Sequence, residues 1–207
     1  MSDKPIALED RASDGDRMFS PSAGRNKHLI ASWLGEALPA HARVLEVGSG
    51  TGEHGAALGA LRTDVIWQYS DPDPASRASQ NAWKAAHWPD ALALDLTPAN
   101  WAEALPRFDA IFSANMIHIA PIEAAEGLAR GAAGLTDTVI LYGPFLIGED
   151  SAPSNLDFDA SLKRRDPRWG VRDLSFVKHI FENAGFSHSK RYDMPRNNFI
   201  VRLSRHG

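Results

Sequence analysis

The sequence predicts an α/β protein, with a mostly parallel sheet, helices on both faces and an antiparallel C-terminal hairpin. Three observations predict it. Short branched apolar runs alternate with helix-period segments, which implies parallel strands covered by helices. The first such run, RVLEV at 43–47, opens directly into a glycine-rich turn, Gly48-Ser49-Gly50-Thr51-Gly52. The last two strand-like segments, 186–193 and 198–204, are separated only by Met194-Pro195-Arg196-Asn197, a connection short enough to force a hairpin.

Each element has its own justification. Residues 1–19 hold five acidic and three basic side chains with little periodicity, so they read as a mobile N-terminal arm ahead of a single domain, 20–207. Over 26–38 the apolar residues Leu29, Ile30, Trp33, Leu34 and Ala37 fall on one helical face that Pro39 helps to end. Strand 43–47 follows, and EHGAALGALR after the glycines reads as a helix. The alternation continues as strand 65–70, helix 74–86, strand 91–94, short helix 98–105, strand 109–114, helix 122–133 and strand 138–142. A helix at 173–184, closed by Gly185, precedes the hairpin. Residues 143–172 do not fit the alternation: about thirty residues rich in Pro, Asp, Arg and Asn are too long for an ordinary connection.

Composition narrows the classes of function. With no cysteine there is no disulfide, thiolate metal site or cysteine nucleophile, and no metal site is expected. The 22 Lys+Arg against 26 Asp+Glu leave a net charge of -4, which disfavours duplex DNA as the main partner. No run of about 18 apolar residues occurs and the N-terminus has no apolar leader core, so no membrane association and a cytoplasmic location are expected.

The turn at 48–52 carries the chemistry. Gly48, Gly50 and Gly52 between a strand and a helix let a ligand approach the backbone. A dinucleotide site wants a third glycine at position 53, where this chain has Glu53, and the spacing G-x-G-x-G favours S-adenosylmethionine instead. Glu46 before the first glycine suits a cationic ligand and opposes a pyrophosphate, although it can also pair with Arg43 or a helix-end cation. Ser49 lies within the turn. Asp71, about 20 residues on, is placed to accept both ribose hydroxyls. Asp73 before Pro74 reads as a helix cap. Asp95, at the end of the third strand, reads as the adenine acceptor or as a turn residue before Thr97 and Pro98. The fourth strand ends at Asn115 and Met116, which should touch the methionine moiety. His118 follows as a candidate general base or as a residue that orients a loop.

These residues and their order resemble a class I S-adenosylmethionine-dependent methyltransferase across 20–205. The resemblance implies a Rossmann-like seven-stranded sheet and that cofactor. More narrowly, RMFSPSAGRNKHLI (17–30), Tyr142-Gly143-Pro144-Phe145, SNLDFDASLKRRDPRWGVRDL (154–174) and Met194-Pro195-Arg196-Asn197-Asn198 resemble the uncharacterised methyltransferase-like 26 group, which implies no particular acceptor.

The segments peculiar to that group flank the carboxyl end of the expected sheet. Arg25, Asn26, Asn155, Trp169, Arg172 and Asn198 are therefore candidate substrate-binding residues, with Tyr142 beside His118 as catalytic candidates. The insertion 143–172 is expected to act as a lid over the acceptor pocket. Its arginines, Arg164, Arg165 and Arg172, could equally pair with Asp157, Asp159, Asp166 and Asp173 to hold the loop. The leading expectation is a small-molecule methyltransferase. An RNA or protein methyltransferase, and a catalytically silent adenosylmethionine-binding scaffold, are the alternatives.

Overall fold

A computed structural model describes residues 10–207, which form two compact units with the boundary between Leu94 and Asp95. The fold is α/β, with parallel strand pairs, helices and the antiparallel C-terminal hairpin that the sequence predicts.

In the first unit, strands β1 (Ala12–Asp14) and β2 (Arg17–Phe19) form a small antiparallel hairpin. Helix α1 (Pro21–Ala37) starts where Ser20 caps it and Pro21 occupies the first turn. Strand β3 (Arg43–Val47) pairs in parallel with β4 (Ile66–Ser70), and helices α2 (Glu53–Leu61) and α3 (Pro74–Trp83) follow the two strands. Asp73 caps α3 by accepting from Ser76 N–H at 2.9 Å. Val44, Leu45, Val47, Leu58, Trp67 and Tyr69 make the unit's core, together with Ile30 and Leu34 of α1.

Residues 12–19 are not the loose arm that their composition suggests. Met18 N–H donates to Ser79 Oγ, Trp83 Nε1 donates to Met18 O, and Arg17 stacks 4.6 Å over the Trp83 ring. Phe19 meets the same ring edge-on. The order of this segment comes from α3, a distant part of the chain, and local periodicity carries no trace of it. Residues 1–9 of the expected arm lie outside the described residues.

The third expected strand, 91–94, shrinks to one parallel bridge between Ser70 and Leu92, supported by Leu92 N–H to Tyr69 O and Asp71 N–H to Leu92 O. Nearby, Trp88 donates to Val65 O and lies against Gly59 of α2. Ala in place of Gly normally helps a helix by about 1 kcal/mol. Here a Cβ on Gly59 would lie 2.6 Å from Trp88 Cη2, and Trp88 is itself buried. Gly59→Ala is thus expected to destabilise the protein by about 1–3 kcal/mol, read as a lower thermal midpoint. An unchanged or raised midpoint would mean that Trp88 moves aside at little cost.

In the second unit, β5 (Ala110–Ala114) runs parallel to β6 (Thr138–Pro144). Antiparallel β8 (Asn198–Ser204) lies beside β6, and β7 (His188–Met194) pairs with β8. Helices α4 (Ile122–Leu135) and α6 (Leu174–Asn183) pack against one another, the latter capped by Asp173. Residues 98–105 form turns, not the expected helix; Trp101 is buried there and donates Nε1–H to Gly127 O, so a tertiary anchor replaces helical hydrogen bonding.

The insertion 143–172 has regular structure that the sequence does not announce. Helix α5 (Pro153–Arg165) buries only Asn155 and Leu162, too few apolar positions to produce a visible helical stripe. No helix among the described residues is long and apolar enough to cross a membrane.

Candidate functional site

The first unit concentrates its polar chemistry behind β3. Gly48, Gly50 and Gly52 all have left-handed φ, at 65°, 56° and 91°. The turn is braced on both sides. Ser49 N–H donates to Ser70 O, Gln80 Nε2 donates to Gly50 O, and Ser79 Oγ donates to Thr51 O. Gly48 and Gly50 keep partial exposure, whereas Gly52 is buried, and a Cβ there would lie 3.0 Å from Gln80 Cα. Of the three glycines expected to face a ligand, the third serves the packing of the turn on α3.

Asp71 stands beside this turn as the sequence suggests. Its Oδ2 accepts Gly50 N–H at 2.9 Å and its Oδ1 accepts Asp73 N–H at 3.0 Å. Burial raises the Asp71 carboxyl above the ordinary aspartate range, and the two N–H donors work against that rise. Each oxygen retains a second lone pair, so a diol can still be accepted. Arg11, from the segment expected to be loose, donates to Ser76 Oγ at 3.1 Å and reaches over Gly50.

Glu46 is not open to solvent: it is 1% exposed. Its Oε2 accepts Trp67 Nε1–H at 3.0 Å, and its Oε1 has no hydrogen-bond partner but lies 3.5 Å from His54 Nδ1. His54 Nε2 in turn lies 3.0 Å from Asn26 Oδ1. Glu53, at the position where a dinucleotide fold has glycine, accepts from Ser20 N–H, Thr51 Oγ and Lys27 Nζ. It ties α1 to the turn. Sequence reasoning passed over His54, although Glu-(x)7-His spanning the glycines was a readable signal. Arg25 is exposed on α1.

The second unit gathers Asn115, His118, Tyr142 and the insertion at the carboxyl ends of β5 and β6. Asn115 takes a left-handed φ of 61°, and its N–H donates to Tyr142 O. Met116 is half-buried and Tyr142 is buried. Asp95 is exposed and accepts from Thr97 N–H and Thr97 Oγ, the geometry of a turn residue that leaves its Oδ2 for other use.

His118 is unsuited to the general-base role considered for it. It is 1% exposed, and burial together with the nearby Arg172 cation depresses its imidazole to about 3. The main-chain N–H of Arg172 donates to Nδ1 at 3.2 Å, so the ring proton belongs on Nε2, which has no hydrogen-bond partner. The ring lies edge-to-face with Phe145 and against Gly143, where a Cβ would come within 2.7 Å of Nε2. His118 O also accepts Gly170 N–H. The residue fastens the insertion to the end of β5.

Three of the candidate substrate-binding residues are engaged in the same way. Arg172 donates to the carbonyls of Ile117, Ala120 and Arg168. Asn198 donates to Pro195 O and Arg196 O, closing the hairpin turn in which Arg196 and Asn197 both have positive φ. Asn155 is 4% exposed and donates to Phe145 O at 3.1 Å and Asn197 O at 2.9 Å. Asn155→Ala should therefore cost about 2–4 kcal/mol of stability by leaving two carbonyls unmet, while ligand binding to the first unit is unchanged. A denaturation midpoint equal to wild type would show that water replaces both bonds. Trp169 is half-buried, with its N–H on Asp166 O. Of the three arginines expected to pair within the insertion, Arg172 binds carbonyls, and Asp166 and Asp159 are paired with Arg168 and Lys163.

Solved structures share this fold. An O-methyltransferase family protein from Burkholderia thailandensis superposes with a TM-score of 0.76 at 14% identity, over 89% of this chain and 56% of that one. Human N-acetylserotonin methyltransferase, in complex with SAM, gives 0.72 at 10% identity, over 90% of this chain and 53% of that one. Magnesium protoporphyrin IX methyltransferase from Synechocystis PCC 6803, with bound SAH, gives 0.63 at 17% identity, over 87% and 82%. The chain thus spans little more than half the length of the first two. The family model for a protein of unknown function, DUF938, matches residues 17–205, and the chain belongs to that family.

Proposed function

We propose that this protein is an S-adenosylmethionine-dependent methyltransferase acting on a small-molecule acceptor. The observation that carries the reading is the braced glycine turn, with Gly48 and Gly50 partly exposed and the Asp71 carboxylate fixed on Gly50 N–H at 2.9 Å. A backbone stripped of side chains beside a buried carboxylate fits a nucleoside: ribose hydroxyls donate to the acid while the flat turn admits the rest of the ligand. The fold neighbours named as methyltransferases, one described with SAM and one with SAH, support the same ligand.

Within this reading Asp71 accepts the ribose hydroxyls, Asp95 is assigned to adenine, and Ser49, Asn115 and Met116 are assigned to the remainder of the ligand. When bound, that ligand supplies an activated methyl group. The chain's own task is to align the acceptor and keep water out, which by itself lowers the barrier to an in-line displacement. Among the acceptor-side candidates we place Arg25, Asn26 and Trp169 ahead of Asn155, Arg172 and Asn198, because each of the latter three donates to main-chain carbonyls. The insertion is proposed as a fixed cover for the acceptor. The motifs at 17–30, 142–145, 154–174 and 194–198 are our grounds for relating the chain to the methyltransferase-like 26 group.

Calorimetry with adenosylmethionine, adenosylhomocysteine and NAD tests the reading. The first two should bind and NAD should not. Asp71→Ala is expected to weaken adenosylhomocysteine by about 1.5–3 kcal/mol, because it loses the diol acceptor and also the tether on Gly50 N–H. Absence of binding by wild type to both adenosyl ligands would overturn the assignment.

A further inference from the structure

We propose that His54 is the proton acceptor of the reaction, held in its competent form by Glu46 and Asn26, and that the methyl acceptor is a hydroxyl. The inference rests on the methyl-transfer reading above. It starts from a polar chain behind the glycine turn: Trp67, Glu46, His54 and Asn26, running from β4 through β3 and α2 to α1.

The buried end of the chain selects the tautomer of the ring. Glu46 is sealed from solvent, and its Oε1 has no hydrogen bond although Oε2 has one. A carboxylate oxygen in that situation demands a donor, and His54 Nδ1 is 3.5 Å away. A small ring rotation completes the bond if the proton sits on Nδ1. The lone pair is then on Nε2, the atom facing Asn26 at 3.0 Å. Asn26 presents Oδ1 there, and turning its amide end for end, which the equal volume of the two ends permits, brings Nδ2–H to that lone pair. Glu53, the next residue, does not compete for the ring, because Lys27, Ser20 and Thr51 occupy its oxygens.

The Nε2 end supplies the chemistry, with His54 8% exposed. His54 lies in the first turn of α2, two residues beyond Gly52, and Asn26 is half-buried on α1. A substrate hydroxyl that takes the place of the Asn26 amide meets a basic nitrogen backed by a carboxylate. As the hydroxyl oxygen's lone pair forms its bond to the methyl carbon, the O–H proton passes to His54 Nε2. The methyl carbon's bond to the sulfonium breaks with its electron pair staying on sulfur. The resulting imidazolium is countered by Glu46. A hydroxyl needs such a base because it is a weak acid and a poor nucleophile while protonated, whereas an amine attacks neutral and loses its proton afterwards. His118 offers nothing comparable: its Nδ1 lone pair is taken by Arg172 N–H.

The test reads the ring directly. Nitrogen-15 spectra of the full-length wild-type protein near neutral pH should show His54 with hydrogen on Nδ1, and Glu46→Gln should shift the ring toward the Nε2–H form. Asn26→Ala, which leaves the carboxylate in place, should retain Nδ1–H. His54→Gln should bind adenosylhomocysteine within about threefold of wild type. With methyl-labelled adenosylmethionine and a panel of phenols and catechols as probes, any turnover should fall at least a hundredfold in His54→Gln. Finding Nε2–H in wild type, or no change in Glu46→Gln, overturns the proposal. Failure of wild type to bind adenosylhomocysteine while His54 carries Nδ1–H would instead sink the methyl-transfer reading and leave the dyad standing.

Discussion

Gly50→Val is expected to reduce adenosylhomocysteine binding by at least a hundredfold while the protein stays folded. Gly50 has a φ of 56°, a conformation that costs a β-branched residue roughly 1–2 kcal/mol. The turn has no freedom to relieve that cost. Gly50 N–H is held by Asp71 Oδ2 and Gly50 O by Gln80 Nε2, each at 2.9 Å. A Cβ at this position would already stand 3.6 Å from Arg11 Nη2, so the two methyl groups of valine fill the space a nucleoside needs. Calorimetry reads the affinity and thermal denaturation the fold, with a midpoint loss corresponding to about 1–2 kcal/mol expected for the strain. Affinity within threefold of wild type would place the ligand elsewhere.

Acid should loosen the second unit through His118. Its folded imidazole is depressed from 6.5 to about 3 by burial and by the Arg172 cation, so the unfolded chain takes up the proton first. The neutral ring's contribution is fully present above about pH 6.5 and is lost as pH falls from there toward 3. One proton corresponds to about 1.4 kcal/mol per pH unit over that window. His118→Asn keeps an acceptor for Arg172 N–H but has nothing to titrate. Its stability should therefore be lower than wild type at pH 7.5 and fall less steeply to pH 5. Parallel slopes for the two proteins would mean that the acid sensitivity arises at other groups.

The insertion shows why residue type and role separate. Arg172, Asn155 and Asn198 belong to segments expected to flank the carboxyl end of the sheet, where polar side chains are ligand candidates. Each donates to main-chain carbonyls: Arg172 to Ile117, Ala120 and Arg168, Asn155 to Phe145 and Asn197, Asn198 to Pro195 and Arg196. An irregular segment packed on a sheet end leaves carbonyls without ladder partners, and long amide and guanidinium side chains are what can reach them. The Met194–Asn198 motif is accounted for by the same need, since Asn197 O is one of the carbonyls that Asn155 meets.

By itself the sequence determined the main alternation of strands and helices, the glycine turn, the Asp73 cap, the place of Asp71 beside the turn and the C-terminal hairpin. These follow from local rules: periodicity of burial, the conformational freedom of glycine, and the length of a connection. Only the tertiary structure decided which polar groups are available. Local sequence does not reveal that α3 orders residues 12–19, that helix α5 buries two side chains, or that Trp101 anchors a stretch otherwise suited to a helix. Nor does it distinguish two histidines of identical intrinsic chemistry. His118 became a neutral fastener because it is buried beside the Arg172 cation, with a main-chain N–H on its Nδ1 lone pair, and His54 gained a buried carboxylate because β3 brings Glu46 to its ring. The neighbours that surround each ring are set in space, 54 residues away along the chain for one and 8 for the other.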